Sequence, residues 1–375
     1  MAGIQGYWQI IKKTVMGLFM SFKNANLRGA CLSVVFGTLA IGYPVNALYA
    51  QQDEFSTVVS KIYSEARAKG VSEATLNRAL GQIEPVDGIK RLENYQPERV
   101  QSFVEYYGKF VTSARTQRGV QELERHRDLL DRAGSQCGLP PQYILSIWAR
   151  ESEYGDILKP QAQARLYHII PALVTLARDG RNEKRRDYFK GEAIEALKMV
   201  DRGYEEVLTA KGSWAGAMGH TQFMPSSFRN FAVDGDGDGR KDIWNNMSDV
   251  FASTANYLCR NNWKAGERWG REVKLPRGFS ESLLTDKLAA QTIKTPSQWA
   301  ALGVTLPGGG RLPGDNTMRG RIIAPDGLSG PTYIVYDNFI TLMRYNSSYK
   351  YALSVAGLAD AIATAAARRS PQLNR

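Results

Sequence analysis

A chain of 375 residues has room for one large body or two to three small domains, and 43% apolar content supports a packed core without metal or disulfide staples. The net charge of +11 gives a solvated basic surface, suited either to solubility alone or to an anionic polymer. No Walker loop, dinucleotide fingerprint or nucleophile elbow is present, so the chemistries those motifs carry are set aside.

The first acidic residue is Asp53. Before it, Lys12, Lys13, Lys23 and Arg28 precede an apolar run from Cys31 to Leu48 that is broken by Gly37, Gly42 and Pro44. A basic region, an apolar region and a small-residue exit make a secretory signal, with cleavage expected after Ala47, or else after Ala50. The run is too short and too broken for a membrane span, and Cys31 lacks the preceding apolar stretch that lipid attachment requires. Loss of residues 1–47 removes four basic and no acidic residues, which takes the net charge from +11 to +7. Export to the periplasm makes nucleic acid an unfit partner. It leaves Cys137 and Cys259 in an oxidising compartment, where they either pair or stay as buried thiols.

Residues 48–132 read as an N-terminal helical region, with Phe103, Tyr106, Tyr107 and Phe110 at helical spacing. Residues 133–265 hold the two informative loops of the chain. Pro140 and Pro141 suit a first helical turn and Gly155 suits a C-cap, so a helix is predicted between them. At about 100° per residue, Glu151 shares a face with Ile144, Ile147 and Trp148, while Glu153 points to the other side. Burial on that face and the negative end of the helix dipole are two conditions that keep a carboxyl protonated for general acid work. A buried glutamate paired with an arginine is the other reading of the same pattern.

In Gly212 to Ser227, Gly and Ala alternate with large apolar residues, as where a backbone is closely approached by a helix or a ligand; Ser213 and Gln222 are the polar groups there able to hold a carboxylate or a sugar. Next, Asp234, Asp236, Asp238 and Asp242 occupy positions one, three, five and nine of an EF-hand-like loop with Gly239 at six. Calcium is expected there, held by Asp234, Asp236, Asp238 and the Arg240 carbonyl. Asn245 stands where a closing Glu belongs, and Asp249 is the expected replacement. With no second hand and no Met-rich groove, the site reads as structural.

From 266 to 340 Gly and Pro become frequent, and Arg321 to Ile323 and Thr332 to Tyr336 read as strands of a small β-rich part. Residues 341–375 close the chain with an alanine-rich helix from Tyr351 to Ala367 and a frayed tail. Tyr345, Asn346 and Tyr351 precede or open that helix and suit sugar binding or plain packing. The histidines His126, His168 and His220 have no metal-ligand spacing.

Together these segments resemble the lytic murein transglycosylase B family, glycoside hydrolase family 103, over roughly Thr57 to Ala367. The ending Glu151-Ser152-Glu153-Tyr154-Gly155 is similar to the family's Glu-Thr-x-aromatic-Gly, and Gly212 to Ser227 resembles its most characteristic signature. The resemblance implies an α+β, mainly α fold with a lysozyme-like catalytic core, a helical domain and a small antiparallel β part. It implies that Glu151 is the catalytic acid and base, oriented by Ser213. Gln222, Tyr257, Tyr345, Asn346 and Tyr351 would line the saccharide groove, and Lys184 and Arg185 would lie near the substrate's peptide. His220-Thr221 departs from the family's usual pair at that point. The implied reaction cleaves peptidoglycan between MurNAc and GlcNAc with formation of 1,6-anhydroMurNAc, and needs no catalytic cofactor. A lysozyme-type hydrolase and a non-catalytic peptidoglycan-binding scaffold are the rival readings. The expected partners are glycan strands and proteins of cell-wall synthesis or division, met by a monomer.

Overall fold

Side-chain caps open several of the long helices. Ser72, Ser102, Thr112 and Asn182 each accept the amide three residues on, filling a donor that the first turn leaves unpaired. In the computed structural model, which describes residues 45–94, 100–284, 292–313 and 317–373, these caps begin a mainly helical chain. Of the expected leader, residues 1–47, all but the last three lie at 1–44, outside the described residues, and Val45 to Ala47 open a helix. The compact body begins at Ala50.

The principal helices are α1 (Val45–Ala68), α2 (Glu73–Leu80), α3 (Phe103–Phe110), α4 (Ser113–Arg125), α5 (Arg127–Ser135), α6 (Pro141–Ser152), α7 (Ile169–Asp179), α8 (Glu183–Asp201), α9 (Pro225–Phe231), α10 (Met247–Arg260), α11 (Asp337–Tyr345) and α12 (Tyr349–Leu373). Two antiparallel sheets accompany them. The short pair β1 (Tyr167–His168) and β2 (Lys211–Gly212), which sequence reading missed, aligns Tyr167 with Gly212. The second sheet has the order β3 (Gly270–Val273), β5 (Thr332–Val335), β4 (Arg321–Ile323). Its β4 and β5 coincide with the expected runs, and β3 is an addition. Alternation along the strands divides this sheet's two faces: Ile322 and Ile334 enter a small core with Trp299, whereas Ile323 and Val335 enter the core of α6 and α12. The Asp326 carboxylate then accepts the Phe103 amide at 2.7 and 2.8 Å, tying the β part to the start of α3.

Two larger cores share the rest. One gathers α6, α10 and α12 with Leu130 and Phe103; the other gathers α1, α2, α7, α8 and α9 with Met218 and Phe223. Tyr257 and Tyr345 pack against both. Helix α12 lies close on α6 because small residues face it. Ala352 and Ala356 are fully buried, and the Ser146 hydroxyl donates to the Val355 carbonyl at 2.6 Å. At Gly357 an added Cβ would sit 2.2 Å from the Tyr107 hydroxyl. The helix also runs past Ala367 to Leu373, further than the frayed tail expected.

Cys137, just before α6, and Cys259, on α10, form a disulfide 122 residues apart in sequence. The bridge ties the loop that opens α6 to the helix carrying Tyr257. Reduction releases a long loop in the unfolded chain, so it is expected to lower the unfolding free energy by about 2–4 kcal/mol. Urea titration with and without reductant, beside thiol counting, checks this; an unchanged midpoint would mean that the bridge adds no stability.

Candidate active site

Helix α6 starts with Pro141 in its first turn, where a missing N–H costs nothing, and buries Ile144, Ile147 and Trp148. It ends earlier than the Gly155 cap expected from sequence. Glu153, Tyr154 and Gly155 all take left-handed backbone, with φ of 52°, 55° and 86°. Two non-glycine residues hold this unfavourable region because each is anchored. The Glu153 carboxylate accepts from Arg115 at both oxygens, at 2.8 and 2.7 Å. Tyr154 is buried against Trp148, and its hydroxyl donates to the Arg115 carbonyl. Gly155 is required by contact: an added Cβ would lie 2.5 Å from the His220 ring.

Glu151, partly buried in the last turn of α6, accepts a hydrogen bond at Oε1 from the Tyr351 hydroxyl. Burial, reinforced by the Glu151 charge, pushes the phenols of Tyr351 and Tyr345 well above their ordinary range, so both stay protonated donors. Tyr345 donates to the Thr221 carbonyl at 2.7 Å and stacks at 4.7 Å between ring centroids on Tyr257, which donates to the Arg344 carbonyl at 2.5 Å. Glu151, Tyr351, Tyr345 and Tyr257 thus form one cluster from α6, α12, α11 and α10. Asn346 is exposed, and its side-chain oxygen accepts the Ser348 amide at the turn into α12.

The Gly212 to Phe223 loop borders this cluster through Thr221. Ser213 Oγ accepts the amides of Ala215 and Ala217 at 3.2 and 3.0 Å, so its remaining capacity is to donate its proton. Gln222 has φ of 49°, and its side-chain amide donates to Gly219 O at 2.8 Å. Lys184 is exposed. Arg185 instead gives Nε to the buried Glu93 carboxylate at 3.1 Å and lies over the Phe189 ring.

The third loop gathers a narrower acidic set than expected. Carboxylate oxygens of Asp234, Asp236 and Asp249 lie within 4.8 Å of one another. Asp249 is fully buried, which pushes its carboxyl up, and it accepts the amides of Gly235 and Asp242 at 2.7 and 2.6 Å. Asp238 stands outside that cluster and accepts the Arg240 amide, the Arg240 side chain goes to Glu206, and Asp242 caps the turn at Trp244 and Asn245. Three converging hard oxygens, one of them buried, fit a calcium-sized cation.

Sequence reading passed over His220. Its Nδ1 accepts Trp148 Nε1 at 2.9 Å, its amide donates to Ile243 O at 2.9 Å, and its ring also hydrogen-bonds the Trp244 backbone. The only sequence signal was its departure from the family's usual pair.

The chain matches the transglycosylase SLT domain over residues 54–360. It is 31% identical over 311 residues to the membrane-bound lytic murein transglycosylase B of Escherichia coli (strain K12), spanning 79% of this chain and 80% of that one. Among solved structures, SltB3 of Pseudomonas aeruginosa in complex with NAG-anhNAM-pentapeptide is similar with a TM-score of 0.73 and 34% identity, covering 82% of this chain and 79% of that one. The Escherichia coli lytic transglycosylase Slt35 in complex with calcium is similar with a TM-score of 0.68 and 30% identity, covering 83% and 94%.

Burial pushes the His220 imidazole from 6.5 down to about 4. The unfolded chain therefore takes up this proton first. The contribution of neutral His220 is present above pH 6.5 and lost as pH falls toward 4. His220→Gln keeps an acceptor and a donor without the charge, so between neutral pH and pH 4 it should lose less stability than the parent, by up to about 3 kcal/mol. Urea midpoints across that range read the difference; equal acid sensitivity would locate the protonation elsewhere.

Proposed function

We propose, given that this chain belongs to the lytic murein transglycosylase family and cleaves the MurNAc-GlcNAc bond of peptidoglycan with formation of 1,6-anhydroMurNAc ends, that Glu151 alone supplies the acid and the base of that reaction. The observation that carries this reading is the Tyr351 hydroxyl on Glu151 Oε1, at the end of an apolar helix face. With Oε1 occupied as acceptor, the transferable proton sits on Oε2. It passes to the glycosidic oxygen as the bond to MurNAc C1 breaks. The carboxylate then takes the proton of the C6 hydroxyl, whose oxygen closes on C1. A hydroxyl of the same sugar enjoys an effective molarity of about 10⁵–10⁸ M, so a second carboxylate to activate water is not needed.

In this reading Ser213 gives its remaining proton to the Glu151 carboxylate, and Gln222, Tyr257, Tyr345, Asn346 and Tyr351 line the saccharide groove. Lys184 and Arg185 face the substrate's peptide, Lys184 being the more accessible of the two. Residues 133–265 form the catalytic core, flanked by the helical region 48–132 and the β part 266–340. The glycan and pentapeptide fragments held by SltB3 support a peptidoglycan strand as the ligand. Export to the periplasm rests on the basic start and apolar run; no described helix is long and apolar enough to cross a membrane. Calcium, when bound, would neutralise the carboxylates of Asp234, Asp236 and Asp249, with the Arg240 carbonyl and Asp238 as further donors; the Slt35 complex with calcium supports this.

Glu151→Gln keeps the shape and removes the proton. Loss of general acid catalysis costs about a hundredfold to ten-thousandfold in rate. Digestion of purified sacculi followed by mass measurement of the muropeptides reads both rate and product, since an anhydro end is one water lighter than a reducing end. Full activity of Glu151→Gln would reassign the site, and mainly reducing MurNAc would make hydrolysis its chemistry.

A ligand that binds only the folded state stabilises it, by about 2.7 kcal/mol at a hundredfold excess over Kd. Added calcium is accordingly expected to raise the melting temperature of chelator-treated protein, and Asp249→Asn to abolish the rise. A melting temperature indifferent to calcium in the parent would make the loop metal-free.

A further inference from the structure

Tyr351 must meet two states of Glu151. Its O–H bond to Oε1 is strong while the carboxylate is ionised and weaker once the carboxyl is protonated, because charge-assisted hydrogen bonds are about twice as strong as neutral ones. A phenol held only by that bond would loosen at the stage when Glu151 has to aim its proton. A second constraint that reaches the ring directly, not through the carboxylate, would lessen this weakness. The residue beside Glu151 supplies one.

The Arg150 guanidinium lies 4.5 Å from the ring centroid of Tyr106, 4.9 Å from that of Phe110 and 5.8 Å from that of Tyr351. It also donates to the Tyr106 hydroxyl oxygen. Tyr106 and Phe110 sit one turn apart on α3, both buried, and Tyr351 opens α12. One planar cation rooted on α6 therefore meets rings from two other helices. Guanidinium keeps its charge at every working pH and offers flat faces to aromatic rings, which an ammonium does not.

We propose that Arg150 is a positioning residue for the transglycosylase reaction, clamping the Tyr351 ring against α3 so that its hydroxyl stays on Glu151 Oε1 through both proton transfers. The inference rests on Glu151 as the acid and base. Arg150 acts through Tyr351, so its removal lowers turnover more than it weakens binding.

The test is a double-mutant cycle in steady-state kinetics on purified glycan strands, with Arg150→Met, Arg150→Lys, Tyr351→Phe and the Arg150→Met, Tyr351→Phe pair. Arg150→Met is expected to lower kcat about tenfold to a hundredfold, the cost of misplacing a reacting group, with a smaller rise in KM because Tyr351 also lines the groove. In the Tyr351→Phe background the same change should cost little more, and Arg150→Lys should recover part of the loss. Equal losses of kcat in both backgrounds, or full kcat in a folded Arg150→Met, would overturn the proposal. Should Arg150→Met fail to fold by circular dichroism, Arg150→Lys and Arg150→Gln in the two backgrounds carry the same comparison. Glu151→Gln in the same assay separates the two readings. If it is active, the catalytic assignment falls. If it is inactive while the Arg150 and Tyr351 losses add, only the clamp falls.

Discussion

The close seat of α12 on α6 is the contact on which the site depends. Buried alanines bring the helix axes near, Gly357 makes room for the Tyr107 hydroxyl of α3, and the buried Ser146 hydroxyl, donating to Val355, sets how far along α6 the second helix lies. A carbonyl inside a helix has a second lone pair to offer, so this bond costs α12 none of its own ladder. Since Ser146 lies five residues before Glu151 and Val355 four after Tyr351, fixing one pair brings the other together. Larger residues on α12 would push the phenol off the carboxylate, because a packed interior transmits a misfit of even one methylene.

Around that contact the two large cores meet, and Tyr257 and Tyr345 belong to both. Their hydroxyls are spent on the backbone carbonyls of Arg344 and Thr221, which leaves ring faces and edges as the surface a ligand would meet. Sugars suit such a wall, since their C–H faces pack on aromatic rings while their hydroxyls need polar partners from the loops. The disulfide from Cys137 to Cys259 joins the approach to α6 with α10 within the first of these cores, beside the aromatic and hydrogen-bonded links that cross to the second.

His220 links α6 to the acidic loop. Trp148, one turn before Glu151, gives its indole N–H to the imidazole, while the same residue holds the backbone at Ile243 and Trp244, beyond the carboxylates of Asp234 and Asp236. The left-handed run at Glu153 to Gly155 lets the chain turn away under that ring. The acidic loop and the end of α6 thus brace each other through one half-buried side chain.

Local pattern in the sequence was enough for the helix of Glu151, its apolar face, the proximity of Asp249 to the carboxylates of the acidic loop, and the strands at 321–323 and 332–335. Helical and strand periodicity, proline placement and carboxylate spacing are properties of adjacent residues. The α+β, mainly α class and the transglycosylase family were legible because several such segments occur together. The partner of each side chain was not legible. Arg185 bonding Glu93, Arg150 stacked on three rings, the indole of Trp148 on His220, Asp238 outside the carboxylate cluster and the cysteine pairing all join residues far apart in the chain or settle between alternatives that spacing leaves equal. By itself the sequence determined which groups could do the chemistry. Only the tertiary structure decided which of them meet, because hydrogen bonds and ring contacts reach a few ångströms and depend on how helices pack.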